Sequence, residues 1–89
     1  MIENYTDREL QIVITNAHEA SWDNKERLKG ARKCGCFYCC KIFDVSEIID
    51  YSLDTTALCP YCGIDSVLGD NEGFPITFDF LKIMFKEWF

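Results

Sequence analysis

The sequence predicts an α+β fold, with residues 1–89 forming one domain, and three observations carry that prediction. Helical apolar periodicity marks both ends of the chain, from Leu10 to Ala17 and from Phe78 to Trp88. Short β-type runs punctuated by Gly and Asp lie between them. Two Cys-x-x-Cys pairs, Cys36/Cys39 and Cys59/Cys62, stand in the same middle region.

Thr6-Asp7-Arg8-Glu9 is a capping box, with Thr6 as N-cap and Glu9 three residues on. Leu10, Val13, Ile14 and Ala17 recur at helical spacing, so a helix is predicted to about Ala20. Ser21 and Asp23 can restart it for a turn or two ending at Gly30, with Trp22 and Leu28 facing the core. Residues 34–41 read as turns and lead into a short strand over 41–43. Asp44-Val-Ser-Glu47 is a second capping box and predicts a short helix through Ile48, Ile49 and Tyr51. Residues 52–56 read as a loop. Residues 64–68 and 74–76 are predicted to pair as one hairpin across the turn Gly69-Asp-Asn-Glu-Gly73. Thr77 caps a last helix, Phe78 to about Trp88.

A chain of 89 residues is short for a self-sufficient core and gains from a metal, disulfides or a partner. Six cysteines would make a disulfide framework in a secreted protein. The opening MIENYTDREL has neither a basic start nor an apolar run of signal-peptide length. No window reaches the ~18 apolar residues of a membrane helix. A cytoplasmic chain with reduced thiols is therefore expected, and there paired cysteines hold metal.

The pairs Cys36/Cys39 and Cys59/Cys62 are 19 residues apart, inside the window of a four-cysteine zinc site. Two residues between cysteines let both sulfurs reach one side of a tight turn. Two such turns close a tetrahedron around one structural Zn²⁺, with Zn–S near ~2.3 Å. Gly63 agrees with this, because the residue after such a turn often needs a positive φ. Cys34 and Cys40 are surplus: ordinary thiols, substitutes for Cys36 or Cys39 as ligands, or redox partners of the site. Cys59-Pro-Tyr-Cys62 also matches a glutaredoxin active-site tetrapeptide. That chemistry wants the first cysteine at a helix N-terminus, whereas here a glycine and a β-type run follow.

His18 is the single histidine, which excludes a nuclease needing a histidine after its first Cys pair. The deaminase pattern fails too, with Leu58 before Cys59 and His18-Glu19 adjacent. Four cysteines leave a zinc no open position for substrate. No enzyme is expected.

The run Cys59-Pro-Tyr-Cys62-Gly63-Ile64-Asp65-Ser66-Val67, with Cys34-Gly-Cys36-Phe-Tyr-Cys39 upstream, resembles a set of small bacterial proteins described only as cytoplasmic protein. The resemblance covers about residues 34–78. It implies a zinc-ribbon-like or treble-clef-like core and a bacterial or phage cytosol. It implies no activity.

Fifteen acids against nine bases give a net charge of -6, and a four-thiolate zinc site would add about -2. Such a surface repels phosphate backbones and favours a basic protein surface. The first function class is thus an acidic zinc-stabilised protein-binding module, such as an inhibitor or immunity protein for a basic toxin or nuclease. Asp44, Glu47, Asp50 and Asp54, then Asp65, Asp70 and Glu72, would face that partner. Asp65 and Ser66 read either as a partner contact or as local caps of backbone N–H groups. In the last helix, Phe78, Leu81, Met84, Phe85 and Trp88 form one wide apolar face. It either packs between the first helix and the hairpin or leaves Phe85 and Trp88 for a partner or a homodimer. The second class is a nucleic-acid-associated zinc ribbon, using Phe37, Tyr38 and the bases Lys25, Arg27, Lys29, Arg32 and Lys33. The third is a thiol redox protein.

Overall fold

The structure is a computed structural model that describes residues 5–89. The first four residues of the opening segment, read as having neither a basic start nor an apolar run of signal-peptide length, lie outside that range. The fold is α+β, with two helices and a small antiparallel sheet.

Helix α1 runs Asp7–Ala20 and starts as predicted. Thr6 Oγ1 accepts from Glu9 N, and Glu9 returns a carboxylate oxygen to Thr6 N. The helix stops where Ser21 Oγ donates to the His18 carbonyl at 2.6 Å. Asp23 then takes a positive φ of 54°, and this reverses the expected roles of its neighbours. Trp22 swings out to 69% exposure instead of entering the core. Asn24 enters instead and is fully buried. Its Nδ2 donates to the Val67 carbonyl at 2.9 Å, and its Oδ1 accepts from Ala57 N at 3.0 Å. A buried amide so placed satisfies two backbone groups that would otherwise be stranded. The predicted restart is a single 3₁₀ turn, Arg27–Gly30, which does bury Leu28.

Strands β1 (Lys33–Cys36), β2 (Ile42–Asp44) and β5 (Val67–Gly69) form one sheet in the order β2-β1-β5. Both pairings are antiparallel. The predicted hairpin of residues 64–68 with 74–76 does not form, because β5 pairs with β1. Pro75 has no N–H to give a ladder, and Phe74 and Ile76 pack on the helices instead. The region read as turns before Lys41 is half strand, with β1 as the centre of the sheet.

The second capping box launches only a 3₁₀ turn, Val45–Glu47. Ile48 is already extended, so the predicted helix to Tyr51 is absent. Strands β3 (Tyr51–Ser52) and β4 (Thr56–Ala57) form a hairpin there, where a loop was expected. Its loop is three residues, Leu53 to Thr55, and the first two, Leu53 and Asp54, have positive φ, 52° and 62°. Thr55 N donates to Ser52 O at 3.0 Å, so the two positive φ values sit inside a tight turn, Ser52 to Thr55, of the type I′ kind.

Helix α2 (Phe78–Trp88) starts on Thr77, whose Oγ1 accepts from Phe80 N. Its buried stripe is Phe80, Leu81 and Met84. The expected face is therefore rotated, and Phe78 and Phe85 lie outside. The rotation follows from the sheet, since α2 lays Leu81 against Gly35 of β1. A Cβ at Gly35 would stand 2.8 Å from Leu81 Cδ1. Two apolar clusters result, one on each side of β1. Cys34, Cys36, Phe43, Leu28 and Val67 fill one; Ile14, Ala17, Leu68, Phe80, Leu81 and Met84 fill the other.

Candidate metal centre

Each Cys-x-x-Cys pair sits in a tight turn, and the two turns repeat the same hydrogen bonds. In the first, Cys36 N donates to Lys41 O at 3.0 Å and Cys40 N to Cys36 O at 2.8 Å. In the second, Cys59 N donates to Ile64 O at 3.0 Å and Gly63 N to Cys59 O at 2.9 Å. One amide in each turns onto the leading sulfur: Tyr38 N to Cys36 Sγ at 3.3 Å and Tyr61 N to Cys59 Sγ at 3.4 Å. The residue after each pair has positive φ, 63° at Cys40 and 80° at Gly63. Cys40 thus stands where the second turn has glycine.

The first turn joins β1 to β2, and the second leads into β5, which is bonded to β1. The sheet thereby brings all four sulfurs within 4.8 Å of one another. Cys36 Sγ and Cys62 Sγ are 3.6 Å apart, and Cys39 Sγ and Cys59 Sγ are 3.7 Å apart. A disulfide needs ~2.05 Å, so these are free thiols. Four sulfurs at ~2.3 Å from a tetrahedral ion are about 3.8 Å apart. The cluster has the size and donor set to hold one metal ion.

Burial and hydrogen bonding set the ionisation of these thiols. Burial pushes the Cys36 thiol well up, against the Ser66 hydroxyl and the N–H groups of Cys39 and Tyr38. Burial also raises Cys62. At Cys59 burial acts upward too, but the N–H groups of Cys62 and Tyr61 together with the Cys39 and Cys62 thiols outweigh it and leave the thiol below its ordinary value. Buried thiolates in one cage need a cation, and a divalent ion inverts the desolvation penalty.

Cys34 and Cys40 lie outside the cluster. Cys34 is fully buried on β1, and burial first, then nearby Asp70, pushes its thiol up to about 12. Cys40 is half-buried and packs on the helical cluster. Ser66, read as a cap or a partner contact, is buried, with Oγ 3.1 Å from Cys36 Sγ. No sequence signal marks a serine as a sulfur partner.

The acids divide. Asp70 accepts from Arg32 N and Lys33 N at 3.0 and 3.1 Å. Glu72 pairs with Arg27 at 2.7 Å, its side chain only 11% exposed. Both are used within the fold. Asp65 is exposed and engages no base among the described residues. The bases expected to form a patch are mostly paired too: Lys25 with Asp54, Lys29 with Glu26, Lys33 with Asp44. Phe85 and Trp88 are exposed and join an aromatic surface. Tyr38 meets Phe85 and Phe89 edge-on, and His18 stacks on Trp88 at 3.9 Å.

The class defined by this fold and site is a small α+β protein with a tetracysteine cluster able to hold a metal ion. Compared with protein-family models, curated proteins and solved structures, the chain matches none.

Proposed function

We propose that the chain is a zinc-ribbon-like, non-catalytic protein-binding module whose partner presents a basic surface, in the manner of an inhibitor or immunity protein. The observation that carries the metal half is the pair of Cys-x-x-Cys turns with matching hydrogen bonds and with sulfurs 3.6 and 3.7 Å apart across them. Four thiolates in a tetrahedron suit Zn²⁺ or iron. Zinc suits a purely structural site, and four protein ligands leave it no position for substrate. Both ligand pairs lie in turns between strands and none on a helix, which favours a ribbon over a treble clef. Six free cysteines fit a reducing, cytoplasmic setting.

The partner half rests on charge and on the exposed aromatics. The net charge is -6, and Trp22, Tyr38, Phe85, Trp88 and Phe89 are exposed beside the first turn. Patches of this kind mark interaction sites. Phosphate binding is poorly served, because Lys25, Arg27, Lys29 and Lys33 already hold carboxylates. Thiol exchange is poorly served as well, since Cys59 is buried and no helix begins at it.

Metal analysis of protein purified without added metal should give one zinc per chain; iron, or no metal, overturns the zinc assignment. Capture on the immobilised protein at low salt should retain a protein that elutes as salt rises. Retention of nucleic acid in its place, or of nothing that salt releases, overturns the partner assignment.

A further inference from the structure

Beside the α1 terminus the surface opens into a cleft of about 740 Å³. That volume lies within the range of small-ligand sites. Trp22, Phe37, Trp88 and Phe89 supply its walls, and Glu19 and Asp65 supply carboxylates. No lysine or arginine lines it. Neither carboxylate engages a base among the described residues. His18, itself exposed and lining the cleft, stacks on Trp88 with an interplanar angle of 25°, so α1 braces this wall. The cleft is distinct from the tetracysteine cluster, although Ser66 lines the one and touches the other.

We infer that this cleft receives an arginine side chain of the partner protein. The inference rests on the protein-binding reading above and names the group recognised. Aromatic faces attract cations through their ring quadrupoles. A neutral apolar guest would leave Glu19 and Asp65 partly desolvated with no compensating charge. A cation both stacks on the indoles and pairs with the carboxylates. Arginine fits better than lysine, because its planar guanidinium lies flat on an indole while offering a two-pronged donor edge to a carboxylate. The acidic balance of the chain would raise the local concentration of such a group.

The chain has two tryptophans, and both line the cleft, so tryptophan emission reports its occupancy directly. The zinc-loaded protein is titrated with N-acetyl-arginine amide and, separately, with the citrulline amide, a neutral near-isostere. Free N-acetyl-tryptophan amide controls for collisional quenching. The arginine probe should give a saturable change, and the citrulline probe should bind roughly tenfold more weakly. Asp65→Asn, whose melting curve should match the wild type, should weaken the arginine probe several-fold. Equal midpoints for the two probes, or an unaltered midpoint in Asp65→Asn, overturn the assignment. So does the absence of any saturable change beyond the free-tryptophan control. If the arginine probe fails while a salt-released protein partner is still captured, only the cleft assignment falls.

Discussion

Two residues in equivalent positions show how far the cysteine spacing alone could be read. Gly63 follows Cys62 with φ 80°, as expected for the residue after such a turn, and a Cβ there would meet nothing within 4 Å. Any penalty for Gly63→Ala is therefore conformational, about 1 kcal/mol for a left-handed residue. A Tm lowered at unchanged zinc content should be seen by calorimetry with metal analysis; an unaltered Tm would mean that the turn relaxes freely. Cys40 holds the matching place at φ 63°. Its identity hides the repeat, because an extra thiol beside Cys39 reads first as a rival ligand. The four clustering residues were legible as a pattern; the repeat of their hydrogen bonds was not, since Lys41 and Ile64 contribute only carbonyls. Ser66 and Asn24 were hidden for a related reason. Their polar groups serve backbone or sulfur atoms remote in sequence, and no local spacing encodes a partner 30 or 43 positions away.

Elements were legible where the signal is local. Both helices begin at their predicted caps, Thr6 and Thr77. The sheet was not, because β5 chooses β1 over the nearer residues 74–76, and that choice depends on the two cysteine turns meeting. The β3–β4 hairpin is hidden because its loop is Leu53-Asp54-Thr55, with neither glycine nor asparagine to announce two positive φ values. Leu53 is almost wholly exposed and earns nothing by burial, yet it sits at φ 52°. Asn tolerates this region far better than a γ-branched apolar residue does. Leu53→Asn should therefore stabilise the fold by about 0.5–1 kcal/mol, while Asp54 keeps its ion pair with Lys25. Chemical denaturation should show a higher midpoint at constant slope. A lower midpoint would mean that Leu53 has contacts in solution that its exposure does not show.

For the whole molecule the question is which of the two clusters holds the fold together. The helical cluster buries Phe80, Leu81, Met84 and Ile14 and reaches the tetracysteine cluster through β1, β5 and the first turn, by Phe37 and Cys40. The other cluster contains Cys36 and Cys59, with Cys39 and Cys62 packed at its margin. Its strands are three residues or four in the sheet and two in the hairpin, too short to persist alone. Metal binding in such small sites contributes on the order of 10 kcal/mol of apparent folding free energy at neutral pH. That is comparable to the whole stability of a typical domain. Removing the ion should therefore abolish cooperative unfolding rather than lower Tm by a few degrees. The loss should be uneven. Helix α1 has 14 residues and a complete capping box, so some helical circular dichroism should survive, near the lower limit for an isolated helix. Any change in tryptophan emission as the α1–α2 contacts loosen should come from Trp88, which leaves its stack on His18, since Trp22 is already 69% exposed. The measurement is a melt before and after chelation at pH 7, with residual metal assayed, followed by return of one equivalent of zinc. Recovery of the sharp transition on adding zinc is the expected result. A metal-free chain that melts with the original midpoint would show that the two apolar clusters fold without the ion, and that the tetracysteine cluster is not what holds the domain together.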